Sequence, residues 1–292
     1  MYVKENIISI FYFIKSKANS TFAVNYVIII YKKKLIYNYK FIINYNYTIM
    51  TSITQEIVAI IDRSGSMSGK EADTVGGINT TLNIIKQDLK PGEIVNVSVK
   101  LFDHEDKMLF RSLNINDVRP LEVRQFVPRG QTALYDAIGS SLTYFMEKKL
   151  HDPNSYDKCL IYVTTDGCEN CSKKFTAKTL KKLIASAQES YNIELIYLGA
   201  NQDAILEASK IGVISSHAIN YSETAEECIS AYRSAANVAN RQKSNTSTAF
   251  TQAERSQSYC PVTPPPSRNL NEPPPIVRQK SVYPSQLIRP LL

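Results

Sequence analysis

Apolar runs alternate with helix-like segments through the middle of this chain, and this alternation restricts its fold more than any other feature. Four runs rich in Val, Ile, Leu and Tyr occur, and a weaker one follows them; they span 56–62, 94–102, 159–165, 193–199 and 217–222. Such nearly continuous runs are typical of strands buried on both faces of a parallel sheet. Helices are predicted between the strands, at 69–89, 133–150, 176–190, 202–211 and 223–240.

One further strand is predicted at 107–115, which follows the second run too closely for a crossover helix. It is therefore expected to pair as an antiparallel hairpin strand. Together these patterns predict an α/β fold: a doubly wound, mostly parallel sheet with helices on both faces and one antiparallel edge strand.

By composition the chain divides into a body, residues 51–240, and two basic ends. The 292 residues carry a formal net charge of +7. Residues 1–50 have 7 Lys or Arg against 1 acidic residue and residues 241–292 have 7 against 2, whereas the body has 20 against 24. Because the positive charge lies at the ends and forms no basic stripe on the body, the sequence predicts no specific nucleic-acid partner.

Residues 1–50 have an unusual composition, since Ile, Lys, Asn, Tyr and Phe account for 36 of them. These residue types have AT-rich codons. We interpret the segment as upstream sequence translated in frame, with Met50 as the functional start, in an AT-rich genome such as that of a virus or a protist. The rival interpretation is a membrane or targeting segment. Its best apolar run, Phe22 to Ile30, is about half of the ~20 residues that a spanning helix needs, so no clear membrane span is predicted.

Residues 241–292 are rich in Ser, Thr, Gln and Pro, and 9 of the 13 prolines lie between Pro261 and Pro290. Such a segment cannot bury enough apolar surface to offset its ordering entropy, so a disordered basic tail is predicted. A partner that binds proline-rich motifs is an open alternative for it. The five cysteines, an odd number without a clear secretory signal, favour a reducing compartment and hence an intracellular, cytoplasmic location.

Acidic and hydroxyl side chains follow the predicted strands in three places. Asp62, Ser64 and Ser66 follow the first strand, Asp166 follows the fourth, and Thr132 stands at the expected N-cap of a helix between them. In the common strand order 3-2-1-4-5-6 the first and fourth strands are neighbours where the order reverses, which is where such sheets bind ligands. Turn formation alone would also explain the first group, because Asp, Ser and Gly are common turn residues.

The stretches "DRSGS", "GQTALYDAI" and "TTDG" resemble the von Willebrand factor type A domain and its metal-ion-dependent adhesion site, over roughly residues 54–240. The resemblance implies that Ser64, Ser66 and Thr132 bind a divalent ion directly, usually Mg²⁺ or otherwise Mn²⁺. It also implies that Asp62 and Asp166 complete the ligand set, directly or through water.

Magnesium prefers about six oxygen ligands and keeps waters readily. Three neutral hydroxyls leave its charge partly uncompensated, so an open position would attract a carboxylate. The expected function is therefore a cation-dependent adhesion or scaffold module, not an enzyme, that binds a partner protein through an Asp or Glu side chain. A metal-dependent hydrolase or phosphotransferase using the same ion is the alternative, and a structural assembly component joined through its ends is a third.

Other polar clusters are assigned less specific roles. No histidine is expected beside Asp62, and the acidic residues 103, 105 and 106 are interpreted as a solvated hairpin, with a second cation site as the alternative. Cys168 and Cys171, in "CENC", are expected to be reduced structural thiols. Redox switching and zinc binding are the alternatives, although nearby acids disfavour a reactive thiolate and a second ligand pair for zinc is missing.

Overall fold

The computed structural model describes residues 53–200, 204–222 and 224–258, and within these ranges the chain forms one sheet with helices on both sides. The strands are β1 (Thr54–Asp62), β2 (Ile94–Phe102), β3 (Asp106–Asn114), β4 (Lys158–Thr165), β5 (Ile193–Ala200) and β6 (Ala218–Tyr221). The helices are α1 (Glu71–Gln87), α2 (Leu134–His151), α3 (Ala177–Tyr191), α4 (Ala204–Lys210), α5 (Ala225–Lys243) and α6 (Gln252–Ser258).

The six strands lie in the order β3-β2-β1-β4-β5-β6. β3 pairs antiparallel with β2, and every other pair is parallel. The predicted α/β doubly wound sheet with one antiparallel edge strand is therefore confirmed. Its strand order reverses between β1 and β4, so the loops that follow these two strands meet at one end of the sheet, called here the carboxyl edge.

Two apolar cores cover the faces of the sheet, which explains why the strands read as continuous apolar runs. Alternate residues of β1 enter alternate cores because successive side chains of a strand point to opposite faces. One core joins β1 to α1 and α5, and the other joins it to α2 and α3; β1 contributes Ile57, Ala59 and Ile61 to the first and Val58 and Ile60 to the second.

Helices α1 and α5 approach closely because Gly77 of α1 lies against the ring of Tyr232, which is fully buried. A Cβ at Gly77 would lie 2.1 Å from Tyr232 Cδ2, whereas a Cβ at Gly76 would meet nothing within 4 Å. We expect Gly77→Ala to lower the free energy of unfolding by about 1–3 kcal/mol through overpacking. Gly76→Ala should raise it by up to ~1 kcal/mol through helix propensity. Urea unfolding of both variants tests this, and effects of equal sign would contradict the proposed contact.

The ordered chain extends beyond residue 240, so the predicted disordered tail is wrong for residues 241–258. The Arg241 guanidinium lies 2.9 Å from Glu254 Oε1 and also donates to the carbonyl oxygens of Ser247 and Ala249. Phe250 is buried, and the Ser222 amide donates to the Ser258 carbonyl beside β6. Composition misled here because the polar side chains of this segment bond to one another and to the edge of the sheet.

Two sequence interpretations fall on residues that the structure does not describe. Those are the in-frame extension at 1–50 and the proline-rich part of the tail from 259 onward. Among the helices within the described ranges, none has the length and apolar character needed to cross a membrane.

Candidate metal centre

The first loop of the site leaves β1 at Asp62, which is fully buried. The Ser64 amide donates to Asp62 Oδ1 at 2.7 Å, and a short 3-10 helix, Gly65–Met67, follows. The side chain of Met67 is buried in the core and anchors this helix. The tight turn brings the two hydroxyls together, with Ser64 Oγ 3.1 Å from Ser66 Oγ. Asp62 therefore is a turn residue, as the simpler interpretation held, and the turn also gathers the hydroxyls.

The second loop brings Asp166 from the end of β4 to the same place. Ser66 Oγ donates to Asp166 Oδ1 at 2.6 Å, and Thr165 Oγ1 donates to Asp62 Oδ2 at 2.6 Å. These two bonds connect the ends of β1 and β4 directly. The side chain of Asp166 is only 3% exposed, and its second oxygen, Oδ2, lies 2.6 Å from the ammonium of Lys70.

The third loop carries Thr132, which was predicted to be the N-cap of α2. The N-cap is instead Ala133, so Thr132 precedes it. The backbone of Thr132 pairs with Asn170, its amide donating to Asn170 Oδ1 at 2.8 Å and its carbonyl accepting from the Asn170 amide at 3.1 Å. Within the described ranges no protein group is hydrogen-bonded to the Thr132 hydroxyl.

The three loops converge, as the position of Gly167 shows. A Cβ built on Gly167 would lie 3.5 Å from Ser66 Oγ and 3.5 Å from Thr132 Oγ1, so both hydroxyls border one small space. All five side chains predicted from the sequence therefore lie at the carboxyl edge. Hydrogen bonds link the first two loops, whereas Thr132 is held there by the bonds of its backbone to Asn170. Their role as metal ligands remains a prediction.

The "CENC" loop has a structural role that sequence reasoning missed. Glu169 Oε2 accepts from the Tyr135 amide at 2.9 Å, and Ser172 Oγ accepts from the Asp136 amide at 3.1 Å. Side chains of this loop therefore satisfy the first amides of α2, a task that Thr132 would otherwise perform. Asn170 also holds the backbone of Thr132. The loop after β4 thus positions the loop that carries Thr132.

The two cysteines of this loop are free thiols, and Cys168 is exposed. Partial burial raises the pKa of Cys171, and the nearby carboxylates of Glu169 and Asp136 raise it further. For Cys171 this direction disfavours a thiolate at neutral pH, as is expected for an unreactive thiol. Cys159 and Cys228 are buried elsewhere, in β4 and α5.

Asp103, at the end of β2, was interpreted as part of a solvated hairpin, and that interpretation is wrong because its side chain is fully buried. Asp103 Oδ2 lies 2.9 Å from Nε of Arg63 and 2.9 Å from Nε of Arg129. Its carbonyl also accepts from the Ala133 amide at 2.8 Å. Asp103 therefore ties the first and third loops together through two guanidinium groups. The position of Asp103 directly after β2, at the same edge of the sheet as Asp62, is the sequence signal that could have predicted this role.

Asp103, His104 and Glu105 form a cluster whose ligand atoms lie within 4.8 Å of one another. Arg129 already pairs with two of these residues, at 2.9 Å from Asp103 Oδ2 and 2.6 Å from Glu105 Oε2. The guanidinium groups thus supply the positive charge that a bound cation would otherwise supply. This disfavours the alternative of a second cation site.

The backbone also joins the first and third loops, and His104 lies beside this junction. The Arg129 amide donates to the Arg63 carbonyl at 2.8 Å, and the Gly65 amide donates to the Gly130 carbonyl at 3.1 Å. Gly130 has a φ of +67°, and a Cβ there would lie 2.2 Å from His104 Nδ1. His104 therefore lies beside the junction of the first and third loops, with its Nδ1 3.2 Å from Asp103 Oδ1.

Burial raises the pKa of Asp62 to about 6, and the negative charge of Asp166 adds to this shift. Hydrogen bonds from Thr165 and Ser64 oppose it without cancelling it. The ionised carboxylate of Asp62 is thus not fully compensated by the positive charges and hydrogen-bond donors around it. A divalent cation in the crevice would favour the ionised form and release a proton on binding.

The donor set fits a hard divalent cation. Hydroxyl and carboxylate oxygens are the ligands that Mg²⁺ prefers, and here three hydroxyls and two carboxylates come from three separate loops. A cation bound among them would also replace the close oxygen contacts, such as the 3.1 Å contact between the two serine hydroxyls.

No family model and no curated protein matches this chain. Solved structures are similar to it at low sequence identity. Proximal thread matrix protein 1 from the mussel byssus is 15% identical with a TM-score of 0.46, over 65% of this chain and 47% of that chain. A second structure of that protein, described as having a zinc-occupied metal-ion-dependent adhesion site, is 14% identical with a TM-score of 0.45, over 65% and 46%.

A von Willebrand factor type A protein from Catenulispora acidiphila is 17% identical with a TM-score of 0.46, over 65% of this chain and 43% of that chain. This chain thus spans less than half the length of these neighbours. At such identities and TM-scores the comparisons carry no conclusion about function. The strand order with its antiparallel edge strand, and the three motifs at the carboxyl edge, show that this chain has the fold of a von Willebrand factor type A domain.

Proposed function

We propose that this chain is a protein-interaction module, of the adhesion or scaffold type, that uses a divalent cation to bind a carboxylate of a partner protein. The cation would be Mg²⁺ or Mn²⁺, and its ligands would be Asp62, Ser64, Ser66, Thr132 and Asp166. The observation that carries the proposal is the convergence of these oxygens from three loops, with Ser66 Oγ 3.1 Å from Ser64 Oγ and 2.6 Å from Asp166 Oδ1.

The charges at the site support a carboxylate as the ligand. Two carboxylates lie in the crevice, and that of Asp166 is already paired with Lys70. A divalent ion held there by neutral hydroxyls would keep net positive charge. Since Mg²⁺ retains exchangeable water positions, an Asp or Glu side chain could replace one of these waters. Such an ion contact is strongest when the surrounding surface excludes water.

We further propose that the module is not an enzyme. Of the three histidines, His104 alone lies at the carboxyl edge, where its Nδ1 is 3.2 Å from the buried carboxylate of Asp103. His217 precedes β6 and His151 ends α2, both at the opposite end of the sheet. Turnover of simple phosphoesters with Mg²⁺, lost in Thr132→Ala, would instead favour the hydrolase or phosphotransferase alternative.

The proposal predicts that carboxylate binding depends on the metal and on Thr132. Peptides that each carry one Glu would be immobilised beside copies that carry Gln instead. We expect capture of the protein by some Glu peptides in Mg²⁺, none by their Gln copies, and none in EDTA. Thr132→Ala should weaken Mg²⁺ binding at least ~10-fold by removing one of the direct ligands.

Thr143→Ala is the matched control, because Thr143 lies more than two helical turns beyond the first residue of α2 and its hydroxyl donates to the Gly139 carbonyl. This variant should bind Mg²⁺ and peptide as the wild type does. Equal capture of Glu and Gln peptides, or capture that persists in EDTA, would contradict the proposal and favour the structural assembly alternative. The cytoplasmic location, the viral or protist origin and the partner for the proline-rich tail remain predictions from sequence.

A further inference from the structure

Lys70 places a positive charge inside the proposed metal site. Its Nζ lies 2.6 Å from Asp166 Oδ2, and its side chain is 25% exposed whereas that of Asp166 is 3% exposed. The lysine is held at the start of α1, where its amide donates to the Met67 carbonyl at 3.1 Å and its carbonyl accepts from the Thr74 amide at 2.9 Å. The same turn that presents Ser64 and Ser66 therefore also delivers an ammonium group.

The two oxygens of Asp166 are both occupied by protein groups. Ser66 Oγ donates to Oδ1 and the Lys70 ammonium pairs with Oδ2. Burying a charged carboxylate so far from water is costly unless a positive charge lies beside it. In the arrangement described here Lys70 supplies that charge. A divalent ion at the same carboxylate would stand within a few ångströms of this ammonium, and two like charges at that distance repel.

We propose that Lys70 is a built-in counter-cation that competes with the divalent ion for Asp166 and thereby lowers the metal affinity of the site. This inference rests on the proposed function, which supplies the ion. In this scheme the carboxylate of Asp166 is neutralised in one state by Lys70 and in the other by the metal ion. Binding couplings are reciprocal. The ion must therefore weaken the contact between Lys70 and Asp166 by the same free energy by which that contact weakens the binding of the ion.

A purely structural role for Lys70 leads to the opposite result. If the lysine only held Asp166 in position for the metal, its removal would let the carboxylate turn away and would weaken metal binding. Competition instead predicts that removal strengthens metal binding. The sign of the change in affinity thus separates the two roles.

The test uses Lys70→Met, which keeps an unbranched apolar side chain and removes the charge. Mg²⁺ would be titrated calorimetrically into the full-length wild type and variant. We expect the variant to bind Mg²⁺ about 10-fold more tightly, within the usual range of binding couplings, and to melt at a lower temperature than the wild type in EDTA. Lys86→Met is the matched control, because Lys86 lies at the other end of α1 and donates to the Asn116 carbonyl. Its Mg²⁺ affinity should equal that of the wild type.

A second measurement follows Lys70 itself. In wild-type protein, modification of lysines by an acid anhydride would be quantified for each residue by mass spectrometry. Mg²⁺ should increase the rate at Lys70, because the ion releases the ammonium from Asp166, and should leave the rate at Lys86 unchanged. An unchanged or slower rate at Lys70 in a protein that binds Mg²⁺ would overturn the inference.

The possible outcomes separate this inference from the proposed function. If both proteins bind Mg²⁺ and the variant binds no more tightly, Lys70 does not compete, and the proposed function stands. If only Lys70→Met binds Mg²⁺, the lysine replaces the metal in the natural protein; the inference then holds and the proposed metal dependence fails. If neither protein binds Mg²⁺ or Mn²⁺, both are overturned.

Discussion

Asp62→Asn is expected to leave the metal-free protein at least as stable as the wild type and to remove most of the stabilisation that magnesium provides. The asparagine keeps an oxygen that accepts from the Ser64 amide, and its amide group can donate to the Thr165 hydroxyl. It also removes a buried negative charge whose pKa is raised to about 6. A ligand that binds only the folded state stabilises it by about 2.7 kcal/mol at 100 times its Kd, and the variant should lose most of this increment.

The same substitution predicts a difference in pH dependence. Because the pKa of Asp62 is raised in the folded state from 3.8 to about 6, the folded protein binds this proton more readily than the unfolded chain does. Metal-free wild type should therefore gain stability relative to Asp62→Asn as the pH falls from about 6 to about 4, by on the order of 3 kcal/mol. The gain from Mg²⁺ should shrink over the same window, because protonated Asp62 is a poorer ligand.

Thermal and urea unfolding of both proteins, with EDTA and with Mg²⁺, measures these differences. Asp117→Asn is the control, because Asp117 is exposed and follows β3 at the opposite end of the sheet. It should respond to Mg²⁺ as the wild type does. If Asp62→Asn already unfolds at a much lower temperature in EDTA, then Asp62 is mainly a structural turn residue, as the simpler interpretation of "DRSGS" held.

A chain that ends after Asn240 is expected to lose cooperative folding or to melt more than about 10 °C below the full-length protein. This truncation removes Gln242, whose amide donates to the Cys159 carbonyl at 3.0 Å, and Lys243, which pairs with Glu93 at 2.7 Å. It also removes the buried Phe250. Unpaired buried groups cost about 1–3 kcal/mol each and a large apolar side chain contributes ~1.5–3 kcal/mol. Their sum approaches the total stability of a typical domain.

The matched control is a chain that ends after Ser258, which keeps α6 and its contacts with the edge of the sheet. There Arg255 donates to the carbonyls of Ala218 and Ser215, and the Ser258 carbonyl accepts from the Ser222 amide. We expect this protein to melt within a few degrees of the full-length protein, since the removed residues are rich in proline and poor in apolar side chains. Equal melting of the two truncated proteins would mean that residues 241–258 contribute nothing to folding.

Local sequence predicted the architecture and the candidate site residues, because both follow from short-range patterns. Apolar runs of strand length and helical stripes specify the elements, and the rules for connecting parallel strands leave few topologies. Once β1 and β4 are neighbours, Asp62 and Asp166 must meet at the carboxyl edge. The hydroxyls of Ser64 and Ser66 follow from the turn, which depends on residues adjacent in the chain.

Only the tertiary structure decided which polar groups hold the site together, because those pairs are distant in sequence. By sequence, Asp103 and Glu105 are predicted to be solvated acidic residues of a hairpin. In the folded protein Arg63 lies beside Asp103, and Arg129 lies beside Glu105. Thr132 appeared to cap α2 until Glu169 and Ser172, more than 30 residues away, were found to bond the first amides of that helix.

The segment 241–258 and Lys70 also have partners that are distant in sequence. Residues 241–258 have the polar composition of a solvated segment. The pairing of Arg241 with Glu254 nevertheless holds this segment in place beside β6. Lys70 has the sequence context of an ordinary surface lysine near a helix start. Its position beside Asp166, 96 residues away, depends on β1 and β4 being neighbours in the sheet. Sequence patterns specify backbone elements through local energies, whereas the partner of a charged side chain is fixed only when the folded chain brings distant segments together.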